Sequence, residues 1–87
     1  MMTTWRQLIQ VEMNKREESF GDVVSCTLDH DGLDREFNDG YGGQEGFPFT
    51  LWTHFRVYFP TCYDGSEWVS SAPRAPCSEE MSHVGGG

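Results

Sequence analysis

The dipeptide Asp64-Gly65 constrains the fold of this chain more than any other short feature. Asp-Gly favours the two-residue type I′ turn, which joins two antiparallel strands. It separates two runs rich in β-branched and aromatic residues, 56–63 and 66–72, and a third run, 49–53, lies two residues before the first of them. The pattern therefore predicts a three-stranded antiparallel meander over residues 49–72.

Pro60 is a test of this meander, because a central strand cannot spare a backbone donor. In the predicted register the missing N–H of Pro60 points toward the first strand, opposite Phe49, where that ladder ends. The register also gives the sheet two apolar faces: Trp52, Val57, Phe59 and Trp68 on one, and Leu51, Tyr58 and Val69 on the other. We expect the first helix to cover the Trp52/Trp68 face. The other face is then either an apolar partner surface or packed beneath the acidic segment.

An amphipathic helix is predicted over residues 3–17. Apolar residues recur on one helical face, at Trp5, Leu8, Ile9 and Met13. Thr4 followed by Gln7 fits a capping box at the N-terminus. Lys15 and Arg16 fall in the last turn, where cations complement the helix dipole.

Residues 18–45 are predicted to form short helices and a loop. A helical turn is expected over residues 23–26 and a second helix around Leu33 and Phe37, with Gly40 ending the second. Each follows cap-like residues: Ser19 with Asp22, and Asp31 with Asp34. A flexible loop is expected over 40–46.

The 87 residues correspond to one domain of the α+β class, with an N-terminal helix and short helices packed on the meander. Residues 73–87 are expected to be an irregular tail. No apolar run approaches the length of a membrane span, and no secretory leader follows Met1. We therefore expect a cytoplasmic monomer with free thiols at Cys26, Cys62 and Cys77. A Cys62–Cys77 bridge is the alternative in an oxidising environment.

The net negative charge is confined to the middle of the chain. The stretch 17–45 carries a formal charge of −8 and contains Arg35 as its one base, whereas the remaining residues sum to zero. Its carboxylates are Glu17, Glu18, Asp22, Asp29, Asp31, Asp34, Glu36, Asp39 and Glu45. This charge argues against nucleic acid or an anionic membrane as a direct ligand. It favours either a solvated surface with helix-capping acids or a binding surface for a basic, nucleic-acid-binding protein.

Metal sites receive weak support. Asp29-x-Asp31-Gly32 begins like a calcium loop, but its glycine comes too early for an EF-hand, and Gly40 stands where the final glutamate is required. A zinc-binding or regulatory module is the alternative function, with ligands from Cys26, His30, Cys77 and His83. No C-x-x-C motif supports it, and no cofactor is expected.

Catalytic motifs are absent from the sequence. It contains neither G-x-S-x-G nor a phosphate-binding loop. A Cys–His or Asp–His pair can be drawn from His30, His54 and the thiols, but no spacing selects one. We therefore expect a binding protein, with a small enzyme as a third hypothesis that a cleft holding such a pair would support.

Several segments resemble small proteins carried by phages and mobile elements. These segments are 20–28, 40–43, 49–53, 56–60 and the run Tyr63-Asp64-Gly65-x-Glu67-Trp68-Val69. The group that the chain resembles includes anti-CRISPR inhibitors of type I systems. The resemblance implies a viral inhibitor that occupies the DNA-binding surface of a host-defence complex (Cascade in type I systems), but it transfers no site residues. In such an inhibitor the carboxylates of the acidic segment would take the place of DNA phosphates in a basic groove, which is consistent with the charge of residues 17–45.

Overall fold

The computed structural model describes residues 2–38, 40 and 45–84. In this part of the chain two antiparallel sheets and two α-helices form a small α+β domain. The helices are α1 (Trp5–Arg16) and α2 (His30–Asp34), and a 3-10 turn spans Phe20–Asp22. The strands are β1 (Met2–Thr3), β2 (Val23–Cys26), β3 (Phe37–Asn38), β4 (Leu51–Thr53), β5 (Arg56–Tyr63) and β6 (Ser66–Pro73).

The β5–β6 hairpin forms as its turn chemistry predicts. Asp64 and Gly65 have φ values of 50° and 83°, the positive values that a type I′ turn requires. Strand β4 pairs with β5, and its ladder ends at Leu51–Tyr58, two residues before Pro60. Three strands therefore pair in chain order, but the first spans 51–53 instead of the predicted 49–53, so its ladder ends before Phe49 and Pro60.

The prediction of a helical turn over 23–26 is wrong, because these residues form β2 and add a fourth strand beside β4. Two valines in succession favour an extended backbone, and β4 would otherwise present an unpaired edge. The predicted Ser19–Asp22 capping box does form, but it caps the 3-10 turn that ends before Val23. The larger sheet thus has the order β2-β4-β5-β6 rather than three strands.

The first helix covers the opposite face of the sheet from the one we expected. Buried Trp5, Ile9 and Met13 of α1 belong to one core with Leu51, Tyr58 and Val69. The Ser71 hydroxyl lies opposite Tyr58 in the register and donates to Glu12 of α1 at 2.8 Å. This face of the sheet thus supplies a hydrogen-bond donor, Ser71, for Glu12, the buried acid of α1. The other face carries the half-buried side chains Trp52, Val57, Phe59 and Trp68.

The ends of α1 follow the sequence signals in part. The Gln7 N–H donates to the Thr4 hydroxyl at 3.1 Å, which is the predicted N-cap. The Gln7 side chain accepts from Thr3 instead of closing the capping box. At the other end Glu17 adopts the left-handed conformation, with φ 59°, and its N–H bonds back to the helix.

The second helix differs from the prediction at both ends. Its N-cap is Asp29, whose carboxylate accepts from the Gly32 N–H at 2.8 Å, and not Asp31. It ends at Asp34, because Phe37 is drawn into β3, which pairs with β1. Gly40 is an exposed bend and ends no helix. The rest of the predicted glycine loop, 41–44, lies outside the described residues.

The tail contains no helix or strand between residues 74 and 84. It is held to the sheet by the ion pair between Arg56 and Glu79, with N–O distances of 2.9 and 3.0 Å. The three cysteines are unpaired. None of the helices in the described part of the chain is long and apolar enough to cross a membrane.

Candidate protein-binding surface

Three acids of the 17–45 segment are free for a partner. Glu17, Asp31 and Glu36 are exposed, and their carboxylates make no hydrogen bond or ion pair with the described residues. Glu17 follows α1, Asp31 lies in the first turn of α2, and Glu36 lies between α2 and β3. An incoming cation therefore does not have to displace an internal partner of these carboxylates.

A second group of exposed acids has a local structural role. Asp22, Asp29 and Glu45 each accept a hydrogen bond from a backbone N–H, at 2.8–3.1 Å. Such a bond occupies part of the carboxylate and leaves its charge in place. Asp22 and Asp29 therefore combine helix capping with surface charge, as the sequence predicts for Asp22, whereas Glu45 binds the backbone of β3.

Asp34 is paired with a base of α1. The Arg6 guanidinium donates to its two carboxylate oxygens at 2.6 and 3.3 Å. This hydrogen bond, and the positive charge with it, lowers the pKa of Asp34 below its ordinary value. Because the pair is exposed, solvent screening leaves it little net stabilising effect. Part of the charge of Asp34 is cancelled on the surface.

Glu18 belongs to the interior rather than to the surface. It is half-buried, and its carboxylate accepts from the Tyr58 hydroxyl at 2.6 Å and from the Thr53 hydroxyl at 2.9 Å. Burial of the ring, followed by the hydrogen bond to Glu18, raises the pKa of Tyr58 well above its ordinary 10. Asp39 lies outside the described residues.

The available acids lie at two ends of α1. Asp34 contacts Arg6 in the first turn, whereas Glu17 follows the last residue of the helix. Eleven helical steps between positions 6 and 17 correspond to about 16 Å. The exposed acids therefore form two groups about one helix length apart, with Asp29, Asp31 and Glu36 near one end and Glu17 and Asp22 near the other.

Sequence reasoning did not identify the two buried glutamates outside that segment. Glu12 accepts from Arg16 and from Ser71, both at 2.8 Å. Glu67 accepts from the backbone N–H groups of Glu45 and Gly46. The alternation of β6 places Glu67 on the same face as Val69, and this could have indicated its burial. Both acids hold the fold together and add nothing to the exposed charge.

A cleft of about 600 Å³ lies between the end of α1, the β4–β5 turn and the tail. Its walls carry charges of both signs, from Glu17, Asp22 and Arg56 among others. His54 and Cys77 also line it, but they make no hydrogen bond to each other. The cleft therefore lacks the nucleophile–base hydrogen bond by which a Cys–His pair is recognised.

The four candidate zinc ligands are not brought together. Cys26 and His30 line a groove beside β2, whereas Cys77 lines the cleft near the tail. Nowhere in residues 2–38, 40 and 45–84 do three His, Cys, Asp or Glu side chains lie close enough to hold a metal ion. A structural zinc site requires four converging ligands, so the geometry removes the support for the zinc alternative.

The exposed face of the larger sheet is uncharged. Its side chains on β4, β5 and β6 are apolar or hydroxylic: Trp52, Val57, Phe59, Thr61, Trp68, Ser70 and Ala72. Thr61 donates to Ser70 across the strands at 2.8 Å, and both are buried between the larger side chains. None of the acids of the 17–45 segment lies on this face of β4, β5 and β6.

Comparison with known proteins adds no assignment: no protein-family model, curated protein sequence or solved structure matches the chain.

Proposed function

We propose that this protein is a viral inhibitor of a type I CRISPR complex, such as Cascade, and that it acts without catalysis. Its acidic 17–45 segment occupies a basic DNA-binding groove of that complex in the host cytoplasm. The observation that carries the proposal is the set of exposed carboxylates with no partner at Glu17, Asp31 and Glu36. These groups keep their full charge for lysine or arginine side chains of the partner.

The dimensions of the acidic segment suit such a groove. Of its eight acids that the structure describes, seven are exposed, and they lie near the two ends of α1, about 16 Å apart. One DNA strand carries a phosphate about every 3.4 Å along the axis, or about five over that distance. The protein therefore offers a number of charges similar to that of the strand it would replace.

The test is competition with target DNA for a purified type I CRISPR surveillance complex. Wild-type protein is expected to displace labelled duplex DNA, measured by fluorescence anisotropy. The double variant Asp31→Lys with Glu36→Lys removes two free acids and no internal hydrogen bond, so it should fold normally. We expect it to inhibit at least about tenfold less well, since close charge pairs at interfaces contribute more than about 1.4 kcal/mol.

A matched control separates position from total charge. Glu80→Lys with Ser78→Lys and His83→Lys changes the formal charge by the same amount, in the exposed tail outside the acidic segment. It should inhibit like the wild type. Failure of the wild-type protein to displace DNA contradicts the proposal, and so does equal inhibition by the two charge variants.

A further inference from the structure

Strand β2 is an exposed edge of the larger sheet. It pairs with β4 on one side and is the terminal strand in the order β2-β4-β5-β6. Val24 is 47% exposed, and Ser25 is exposed beside it. Another chain can therefore approach this edge of the sheet.

The backbone of β2 offers unpaired hydrogen-bonding groups to such a chain. The Thr27 N–H donates to the Thr50 carbonyl at 2.9 Å, toward β4. Because backbone groups alternate in an antiparallel ladder, the N–H and C=O of Cys26 point away from β4. Proteins usually protect such an edge with lysine, proline, inward charges, short strands or bulges. The four residues of β2 include no lysine, proline or charge, and the only such features are its shortness and a register shift between Val23 and Ser25.

An apolar groove of about 360 Å³ adjoins this edge. It lies between β2 and the two helices, and apolar side chains form most of its wall: Phe20, Val23, Cys26, Leu28, Leu33 and Leu51. The groove can hold one side chain of a peptide that pairs with β2. Alternate side chains entering such pockets give specificity when a peptide adds a strand.

Charges flank this edge on both sides. Asp22 immediately precedes β2, and Asp29 and Asp31 follow it at the start of α2. Arg6 and His30 are the bases on the rim of the groove, and Arg6 is already paired with Asp34. The surroundings of the edge are therefore predominantly acidic, which favours a basic occupant over a second copy of this acidic chain.

We propose that β2 accepts an extended segment of the partner protein as a fifth strand. The segment places an apolar side chain in the groove and lysine or arginine side chains against Asp22 and Asp29. This inference rests on the proposed function in taking the same basic protein as the partner. The acids then raise the rate of association with the basic partner. Pairing of the added strand with β2, together with its side chain in the groove, determines which partner binds.

The first test compares two valine-to-glutamate variants in the DNA-competition assay. Val24→Glu puts a carboxylate on the edge, whereas Val11→Glu puts one on α1 at a similarly exposed position, 53% against 47%. Strand addition predicts at least about tenfold weaker inhibition by Val24→Glu, because a charge on an edge strand opposes pairing. Val11→Glu should inhibit like the wild type. Attraction to a basic groove alone predicts no loss for either variant, and that result overturns the inference.

A second test does not depend on the CRISPR complex. A short peptide of alternating valine and threonine, with lysines at both ends, is titrated at millimolar concentration into ¹⁵N-labelled protein. We expect shifts centred on residues 23–27 and slower hydrogen exchange of the Cys26 amide, both lost in Val24→Glu and kept in Val11→Glu. Chemical-shift changes that are spread over all the acids, or an absence of changes at β2, overturn the inference. If the protein fails to displace DNA but binds this peptide at β2, the proposed function fails and the binding edge stands.

Discussion

Glu17 and Glu18 are neighbours in sequence and have opposite roles. Glu17 is exposed in a left-handed conformation at the end of α1, with no partner among the described residues. Glu18 turns inward, where Tyr58 donates to it at 2.6 Å. A run of acids in a sequence therefore does not indicate how many of its charges reach the surface.

Replacement of Glu18 is expected to destabilise the fold. Glu18→Ala leaves the buried Tyr58 hydroxyl without its acceptor, at a cost of about 2 kcal/mol in the free energy of unfolding. Glu36→Ala removes the same charge from an exposed site with no partner and should change stability by less than about 0.5 kcal/mol. Urea unfolding of the two variants measures the difference. Equal stability of the two would mean that the Glu18–Tyr58 contact does not form.

The Tyr58–Glu18 pair also makes stability depend on alkaline pH. Burial and then the hydrogen bond raise the pKa of Tyr58 above 10, so the folded state holds this proton more tightly than the unfolded state. The contribution is present below pH 10 and is lost as pH rises from the unfolded toward the folded pKa. Between pH 9 and 11, wild type should lose about 1.4 kcal/mol more than Tyr58→Phe. If urea unfolding shows the same loss of unfolding free energy in wild type and Tyr58→Phe, the result contradicts this prediction.

At the scale of elements, local signals predicted the hairpin and α1 but not β2. Asp64-Gly65 and the Thr4 cap act through their own backbone, so the sequence reveals them. Val23–Cys26 follows a genuine capping pair, and the short run was equally compatible with a helical turn. Its conformation depends on pairing with β4, which lies far along the chain and leaves no local signal.

The local sequence pattern also did not predict which face of the sheet α1 covers. Both faces carry large apolar side chains, so hydrophobicity alone favoured the tryptophans. The structure selects the face on which Ser71 and Thr53 bind Glu12 and Glu18. These are contacts between residues more than thirty positions apart. For the same reason the sequence located the acidic segment but did not separate the available acids from the structural ones.

The turn between β5 and β6 gives a prediction at this scale. Gly65→Ala forces alanine into a φ of 83° and should cost about 1 kcal/mol. Gly21→Ala is the matched control, because its added Cβ would lie 3.5 Å from the Ser19 hydroxyl, an ordinary contact. We expect that control to be neutral or slightly stabilising. Thermal unfolding compares them, and an unchanged melting temperature for Gly65→Ala contradicts the turn assignment.

On the scale of the whole molecule, charge and apolar surface are separated. The 17–45 segment carries all of the net charge and follows α1, while the sheet face with Trp52 and Trp68 is uncharged. Outside that segment Glu12 and Glu67 are buried, Glu79 is paired with Arg56, and Asp64 and Glu80 are exposed. The proposal of a basic partner therefore rests on the net charge of the 17–45 segment.

The salt dependence of inhibition tests the central claim most directly. The dissociation constant of the protein from the proposed CRISPR target is measured at salt concentrations from about 50 to about 200 mM. If free carboxylates replace DNA phosphates, affinity should fall at least about tenfold over this range, and Asp31→Lys with Glu36→Lys should flatten the slope. Tight binding that is independent of salt, with the same slope for wild type and variant, would contradict the claim.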